Sequence, residues 1–272
     1  MNIFKNLLVL CLMSIGCTSS MAEEKPNSSF TVVPIEKVNW EKLNSARGDK
    51  SPQAGTLWGN RKGEEPTGFL AKFADGFSSP PHIHNVTYRA VVIEGLIHND
   101  DPSAKKMWMP LGSFWTQPKG EVHITAAKGD SNIALVEIDM GPYLVLHEED
   151  KFDSGERPVN VDPSNIVWLA PDGFKISDTS PKIAYLWGGI SKDKSNGTFL
   201  WLPKGFNGKV LVNSPTFRAV VIKGQVNHKS YTHNDLMPGS YFGSIGNFTH
   251  AIGTKSGAIL YIRTVGEYKL ME

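Results

Sequence analysis

Two histidines one residue apart, His82 and His84, stand in "GFSSPPHIHNVTYRAVVIEG", between a proline-rich turn and an apolar run. On a β-strand, residues i and i+2 point to the same face, so both imidazoles would project together and could chelate one divalent cation. An isolated pair of this kind is a weak signal, because most exposed histidine pairs bind nothing. The pair alone therefore favours two ordinary strand residues.

A third histidine strengthens the metal hypothesis. The stretch "GSFWTQPKGEVH" ends at His123 and contains Pro118 and Gly120. These two residues predict a tight turn that reverses the chain and brings the histidine of the next strand inward. Three imidazoles at one point suit a divalent cation that keeps open coordination positions. His123 is therefore a candidate third ligand beside His82 and His84.

The two stretches resemble the two sequence motifs of the cupin superfamily. The first motif of that family, G-x5-H-x-H-x3-E-x6-G, is matched by Gly76, His82, His84 and Gly95, and the second is matched by residues 112–123. The resemblance in strand pattern covers essentially the whole chain after its N-terminal segment. It implies a jelly-roll (double-stranded β-helix) fold with a metal ion held by the motif histidines.

Tyr88 stands where the first cupin motif has its glutamate. Cupins with that carboxylate present three histidines and one glutamate to the metal, whereas this chain would present three neutral imidazoles with Tyr88 in the fourth direction. The uncompensated charge of the cation would favour an anionic, chelating ligand. Tyr88 could be a distant axial ligand, a hydrogen-bond donor to bound water or substrate, or a residue that only fills space.

Similar three-histidine cupins include diketone-cleaving dioxygenases and thiol dioxygenases. The resemblance to them implies ferrous iron and a small chelating substrate, which could be a diketone, a thiol or a hydroxy acid. The chain is also similar to bacterial cupins of unknown function related to the zinc-binding cupin domain of anti-sigma factors. We expect one divalent metal ion, Fe2+ or Zn2+, with Mn2+ and Ni2+ as alternatives. The alternative to an enzyme is a non-catalytic protein that binds or senses a small molecule through its metal.

Several residues beside the motifs are candidates for lining a pocket. Trp108 and Trp115 lie on predicted strands, and the alternation of strand residues would turn part of this region inward as an apolar wall. Glu94 is six residues after Tyr88 on the same strand, so it would lie on the same face and could point inward. The alternative is a salt bridge at the end of the strand. Glu121 could orient a ligating imidazole, or it could be a solvated turn residue.

The elements that must position these residues are short strands in two copies. The stretch "YRAVVIEG" (88–95) returns as "FRAVVIKG" (217–224), and "LWG" (57–59) returns at 186–188, both at an offset of 129 residues. Runs of β-branched and aromatic residues between Gly, Pro, Asn and Asp predict strands. We predict an all-β protein of two tandem cupin domains, residues 23–150 and 151–272, joined by a polar linker.

The second copy lacks most of the ligand set. Leu211 and Asn213 occupy the positions of His82 and His84, and only His123 has a counterpart, at His250. One histidine does not hold a catalytic metal. We therefore predict a degenerate, metal-free C-terminal domain that serves packing or the formation of a homodimer.

The N-terminus is typical of a secretory signal. A short cationic start precedes "LLVLCLMSIG", an apolar run too short to span a bilayer comfortably, and Ser20 and Ala22 then frame a cleavage site. Cleavage before Cys17, as in a lipoprotein, is the alternative. Both cysteines, Cys11 and Cys17, lie in this segment. We predict a signal peptide at residues 1–22, a periplasmic or secreted location, and a mature chain without a thiol.

The charge balance bears on the class of partner. The chain has 28 Lys and Arg against 27 Asp and Glu, with no basic patch and no charge block. This composition argues against a nucleic-acid partner. Beyond the signal segment no apolar run is long enough for a membrane span. A small molecule, with an anionic one favoured, is the expected ligand.

Overall fold

Antiparallel β-strands joined by short turns build residues 29–272, the part of the chain that the computed structural model describes. No helix within these residues is long and apolar enough to cross a membrane. The predicted signal peptide, residues 1–22, and with it Cys11 and Cys17, lies outside the described residues.

Twenty strands and four short 3-10 helices follow one another along the described chain. The strands are β1 Ser29–Val33, β2 Trp40–Lys42, β3 Gln53–Trp58, β4 Thr67–Phe73, β5 His82–His84, β6 Tyr88–Asp100, β7 Phe114–Gln117, β8 Ile124–Ile138, β9 Val145–His147, β10 Val159–Val161, β11 Lys182–Gly188, β12 Ser195–Leu202, β13 Asn207–Val212, β14 Thr216–Gly224, β15 Val226–His228, β16 Tyr231–Leu236, β17 Tyr241–Ile245, β18 Phe248–Gly253, β19 Ala258–Val265 and β20 Tyr268–Met271. The 3-10 helices are Ile35–Lys37, Ser45–Lys50, Glu148–Asp150 and Pro163–Asn165.

The strands form two jelly rolls, each with its own apolar core. The first contains a seven-stranded sheet, ordered β10-β7-β6-β8-β4-β3-β2, and the two-stranded sheet β5-β9. The second contains a six-stranded sheet, ordered β1-β17-β14-β19-β12-β11, and a five-stranded sheet, ordered β16-β15-β18-β13-β20. The prediction of an all-β fold with two tandem jelly rolls is confirmed.

The continuous apolar run in β6 follows from burial on both faces of its sheet. Tyr88, Ala90 and Val92 belong to the core of the first jelly roll. Val91 and Ile93 face the other way, into a second cluster that contains residues of both jelly rolls. A strand buried on both sides needs apolar residues at successive positions, so the usual alternation with polar residues is lost. The equivalent strand β14 divides its residues in the same way.

Each repeated motif supplies one half of a contact between the two jelly rolls. The guanidinium of Arg89 lies over the indole of Trp187, 3.7 Å from the ring centroid. In return, Arg218 lies over Trp58, 5.3 Å from its centroid. Arginine and tryptophan attract one another in this geometry through the ring quadrupole. The repeats "RAVVI" and "LWG" therefore join the copies reciprocally.

A buried ion pair lies at the centre of this boundary. Glu137 is opposite Arg89 in the strand register, and Arg263 is opposite Arg218, so Glu137 and Arg263 hold equivalent positions in the two copies. Their side chains meet, with Arg263 Nη1 3.4 Å from Glu137 Oε1. The hydroxyl of Tyr261 donates to the same Oε1 at 2.6 Å. Glu137 is only 1% exposed, so this pair is shielded from water.

Strand pairing crosses the predicted division between residues 150 and 151 in both directions. The first strand, β1, pairs with β17 of the second jelly roll. Strand β10 lies in residues 148–165, the segment predicted as the linker, and it pairs with β7 of the first jelly roll. In each case an edge strand of one sheet is covered by chain from the other half, which leaves fewer unpaired backbone groups. The division itself stays a prediction.

Candidate metal centre

The turn predicted within the second motif, at Pro118 and Gly120, brings His123 beside His82. Backbone N–H groups of these two residues donate to each other's carbonyl oxygens, at 3.0 and 3.1 Å. Within the turn, Gly120 has a φ of +75° and donates its N–H to the carbonyl of His84 at 2.9 Å. A Cβ at this position would collide with the backbone oxygen of Phe152, so the turn requires glycine.

The three predicted ligands converge inside the first jelly roll. His82 and His84 share strand β5, and their ring centroids are 5.0 Å apart. The His123 ring lies 4.2 Å from that of His82 and 5.2 Å from that of His84. One nitrogen from each residue lies within 4.8 Å of the others, and all three residues are buried. Within residues 29–272 this is the one group of three or more metal-type ligands.

Backbone carbonyls fix the tautomer of each imidazole. Nδ1 of each histidine faces a carbonyl oxygen, which can only accept a hydrogen bond, so Nδ1 carries the proton and Nε2 keeps its lone pair. For His82, His84 and His123 in that order, the accepting carbonyls belong to Pro80 (2.9 Å), Leu144 (2.8 Å) and Glu121 (3.3 Å). Contacts of this kind orient metal-ligating histidines in proteins.

The electrostatics of the cluster keep the three imidazoles neutral. Burial lowers the pKa of His82, lowers that of His84 to about 3, and lowers that of His123 well below its ordinary value. Repulsion from the neighbouring imidazoles lowers the pKa of His84 and His123 further. Nε2 of His123 is buried without a hydrogen-bond partner in the protein, which is costly unless something binds there. The three histidines therefore fit a divalent metal ion and could hold one.

Tyr88 lies beside the histidines with its hydroxyl already engaged. Its ring is edge-on to that of His84, with centroids 5.2 Å apart, and the side chain is buried. The hydroxyl donates to Asn99 Oδ1 at 2.9 Å, and Thr125 donates to the same oxygen at 2.8 Å. Burial raises the pKa of Tyr88, so the phenol keeps its proton. A role as hydrogen-bond donor to a bound ligand would require this bond to break.

A chain of buried hydrogen bonds connects Tyr88 with the carbonyl that orients His123. Asn99 accepts from Tyr88 and donates through Nδ2 to Gln117 Oε1 at 2.9 Å. Gln117 Nε2 then donates to the carbonyl of Glu121 at 3.1 Å, and that same oxygen faces Nδ1 of His123. Glu121 thus contacts a predicted ligand through its backbone oxygen.

Tyr143 is a site residue that the sequence motifs did not indicate. It lies between β8 and β9, and its hydroxyl oxygen is 3.2 Å from Nε2 of His84. The two rings are stacked, with centroids 4.5 Å apart and planes 22° apart. Burial raises the pKa of Tyr143 well above its ordinary value, and the neighbouring Tyr88 adds to this effect. The residue falls outside both motifs, and nothing in its local sequence marks it as part of a site.

A cavity of about 640 Å³ opens onto His82 and His84. Aromatic and small apolar side chains form most of its wall, among them Phe69, Ala71, Phe73, Phe77, Trp115, Ala134 and Val136. Lys42 and Arg47 lie at its exposed rim. Trp115, predicted to line a pocket, is among these wall residues.

Two other predicted pocket residues lie elsewhere. Trp108 packs edge-on against His98, with ring centroids 6.2 Å apart, and is not among the residues that line the cavity. Glu94 is exposed. The pairing of β6 with β8 is irregular on both sides of Glu94, because the register shifts between Val92 and Glu94 and again before Leu96. These bulges interrupt the alternation from which an inward direction was expected.

Two histidines of the second jelly roll, His228 and His250, bond to one another. The N–H of Ser230 donates to His228 Nδ1 at 3.2 Å, which places the His228 proton on Nε2. That nitrogen is 3.0 Å from Nδ1 of His250, and His250 Nε2 is 3.0 Å from Ser244 Oγ. All four ring nitrogens are therefore engaged within the protein. The absence of a metal from this copy stays a prediction.

Two tandem jelly rolls, of which the first gathers its motif histidines at one point, have the fold of the cupins. The chain belongs to the family described as a domain of unknown function, DUF4437, whose model matches residues 31–271. No curated protein matches the sequence.

Three solved structures are similar to the chain. A "putative dioxygenase" from Nostoc punctiforme has a TM-score of 0.68 and 12% identity, covering 90% of this chain and 86% of its own. Salicylate 1,2-dioxygenase from Pseudoaminobacter salicylatoxidans, in adducts with gentisate, has a TM-score of 0.58, 13% identity and coverages of 89% and 82%. A variant of oxalate decarboxylase from Bacillus subtilis has a TM-score of 0.53, 10% identity and coverages of 89% and 78%. At these identities the likeness shows the fold alone.

Proposed function

We propose that the protein is an exported, metal-dependent bicupin enzyme of the dioxygenase type, with one divalent ion held by His82, His84 and His123. The observation that carries this proposal is the convergence of one ring nitrogen from each of the three histidines in one buried place, where Nε2 of His123 has no hydrogen-bond partner in the protein. Each imidazole is held by a backbone carbonyl on its other nitrogen, which is how proteins prepare histidines for a metal.

Fe2+ and Zn2+ are the ions that this ligand set suits best, with Mn2+ and Ni2+ as alternatives. A bound ferrous ion would supply oxygen chemistry, and a zinc ion would supply Lewis-acid chemistry. The three histidines are neutral ligands. The charge of the ion then favours an anionic ligand from solution.

The cavity wall favours a small substrate with an apolar body and a chelating acidic group. Phe73, Phe77 and Trp115 offer faces on which a flat or apolar molecule can pack. The wall residues near the histidines carry no charge, whereas Lys42 and Arg47 at the rim can attract an anion. Diketones and hydroxy acids fit this description, and a small thiol fits the metal. Salicylate 1,2-dioxygenase was crystallised with gentisate, so aromatic hydroxy acids belong in a substrate panel.

Metal content tests the ligand assignment. The wild-type protein is purified and loaded with Fe2+ or Zn2+ beside the variants His82→Ala and His123→Ala. His147→Ala is the matched control, because His147 is exposed and pairs directly with His82 on the neighbouring strand. We expect one ion per chain in the wild type and the control, and loss of the ion in the two ligand variants. Equal metal content in all four proteins would overturn the assignment.

Oxygen uptake separates an enzyme from a binding protein. The iron-loaded protein is mixed with a panel of small diketones, thiols and hydroxy acids, including salicylate and gentisate, and oxygen consumption is followed. Uptake with one compound class that disappears in His123→Ala supports the dioxygenase proposal. Tight binding of an acid without any uptake favours the alternative, a metal-dependent binding or sensing protein.

We further propose that residues 1–22 direct export to the periplasm or the medium. Cell fractionation of the full-length chain and of a chain lacking these residues tests it, and Cys17→Ser tests anchoring as a lipoprotein. Recovery of the full-length chain and of the shortened chain in the same compartment argues against a signal peptide. A homodimer, and the likeness to the zinc-binding cupin domain of anti-sigma factors, stay predictions.

A further inference from the structure

The structure places Tyr143, rather than Tyr88, against a metal-facing nitrogen. The Tyr143 hydroxyl oxygen is 3.2 Å from Nε2 of His84. The rings are nearly parallel, with planes 22° apart and centroids 4.5 Å apart, so they overlap face to face. Because Nδ1 of His84 carries the proton, the Tyr143 hydroxyl donates a hydrogen bond to the lone pair of Nε2. A metal ion that binds this lone pair would replace the hydroxyl proton between the two atoms.

The separation of these two atoms is that of two neighbouring ligands of one ion. Ligand atoms bound to a metal at about 2.1 Å, at angles between those of an octahedron and a tetrahedron, lie roughly 3.0 to 3.4 Å apart. The distance of 3.2 Å between Tyr143 and His84 falls in this range. An ion bound to His84 would thus lie near the Tyr143 oxygen without a change in the fold.

The loop that carries Tyr143 is fixed to the strand that carries His84. Tyr143 donates its backbone N–H to the carbonyl of Arg61 at 2.9 Å. The next residue, Leu144, donates to Asn85 Oδ1 at 2.9 Å and accepts from Nδ1 of His84 at 2.8 Å. The bonds of Leu144 hold the loop against β5 and the residue after it, and the bond to Arg61 holds it against the connection between β3 and β4. The backbone of Tyr143 is therefore fixed beside His84, and its ring stacks on that of His84.

Tyr88 is less suited to the same role. Its hydroxyl proton is engaged by Asn99, and the indole N–H of Trp115 lies 3.5 Å from its oxygen. The hydroxyl of Tyr143 contacts His84 Nε2 instead. Tyr88 and Tyr143 are the two tyrosines among the residues that line the cavity.

We propose that the phenol oxygen of Tyr143 is the fourth protein ligand of the metal, and that it supplies the anionic oxygen that other cupins supply with the motif glutamate. The inference rests on the proposed metal site. On coordination the O–H bond of the phenol breaks, an oxygen–metal bond forms, and the proton leaves to the solvent. No electron is transferred, and the net charge of the site falls by one.

A ferric form of the full-length protein tests this ligand by its colour. The protein is loaded with Fe2+ without oxygen and oxidised with ferricyanide, and excess reagent is removed. A phenolate bound to Fe3+ gives a charge-transfer band in the visible, with tyrosine vibrations enhanced in the resonance Raman spectrum. Wild type, Tyr143→Phe and Tyr88→Phe are compared, with iron content and thermal melting measured for each.

We expect the band in the wild type and in Tyr88→Phe, and its loss in Tyr143→Phe. If Tyr143→Phe fails to fold, retention of the band in Tyr88→Phe still assigns it, because no third tyrosine lines the cavity in the described residues. A wild type that binds iron without the band, or a band lost only in Tyr88→Phe, overturns this inference and leaves the histidine site intact. A wild type that binds no metal overturns the proposed function itself.

Discussion

Arg89 lies over the ring of Trp187 while both of its terminal nitrogens bond to Asp139 Oδ2 at 3.0 Å. The Arg89 side chain is 16% exposed, so this contact between the jelly rolls is largely desolvated. Cation–π pairs of this kind contribute about 0.5 to 2 kcal/mol.

We expect Arg89→Met to lower the free energy of unfolding by about 1 to 2 kcal/mol, measured by urea denaturation. Arg47→Met is the matched control. Arg47 also lies over an aromatic ring, that of Phe77, but is exposed, so its loss should cost under about 0.5 kcal/mol. Equal losses of unfolding free energy in both variants would show that the contact between the jelly rolls contributes no more to stability than an exposed contact.

Removing one partner of the buried pair between Glu137 and Arg263 should cost more than removing both. Glu137→Leu leaves Arg263 with the half-exposed Asp139, 2.7 Å away, as its remaining carboxylate, and we expect a loss of about 3 kcal/mol of unfolding free energy. Arg263→Met leaves the buried carboxylate of Glu137 without its ion-pair partner. The double variant should recover part of the loss, because two apolar side chains can pack where an isolated charge cannot. Urea denaturation of all four proteins gives the coupling, and strict additivity of the two losses would contradict it.

Asn99 should affect metal binding although it does not touch the ion. Asn99→Leu removes the link between Tyr88 and Gln117, which holds the Glu121 carbonyl beside His123. We expect metal affinity to fall by about 10- to 100-fold in a chelator-competition titration. Thr125→Val is the control, because it removes one donor to Asn99 and leaves the link to Gln117 in place. The same fall in both variants would argue against the specific connection.

Acid should destabilise the second jelly roll through His228 and His250. Burial lowers the pKa of His228 to about 4 and that of His250 to about 3, from an ordinary value of 6.5. Between pH 6.5 and 4 the unfolded chain therefore binds more protons than the folded chain, so stability falls as the pH falls. Each such histidine contributes a slope of about 1.4 kcal/mol per pH unit.

The variant His228→Gln isolates this effect from other titrating groups. We expect its urea midpoint to change less between pH 7 and pH 5 than the midpoint of the wild type, although the variant is less stable at pH 7. Both proteins are compared in the metal-free form, so that the first jelly roll titrates equally in each. The same change of urea midpoint with pH in both proteins would contradict the assignment of this acid sensitivity to His228.

The motif histidines could be predicted because their chemistry is local. The alternation of strand residues places His82 and His84 on one face, and a turn built around Gly120 brings His123 beside them. Neither step needs knowledge of distant chain. The all-β fold and the duplication were predictable for the same reason, since each rests on short stretches and their spacing.

Tyr143 could not be predicted, because its place depends on a loop that docks through backbone bonds to Arg61 and Asn85. Such long-range bonds leave no pattern in the sequence. Glu94 shows a second limit, since bulges beside it change the direction of a side chain that simple alternation would turn inward. The pairing of β1 with β17 shows a third, because the two strands are far apart in the chain.

The contact between Glu137 and Arg263 bears on how the two copies of the repeat evolved. In an assembly of two identical chains, a residue that meets its own equivalent meets an identical side chain, so this place would hold two carboxylates or two guanidiniums. Only after two copies share one chain can the position change separately in each, and opposite charges then become available. The two equivalent positions therefore acquired opposite charges after the duplication. Because each charge is now compensated by the other copy, each copy depends on the other as its partner.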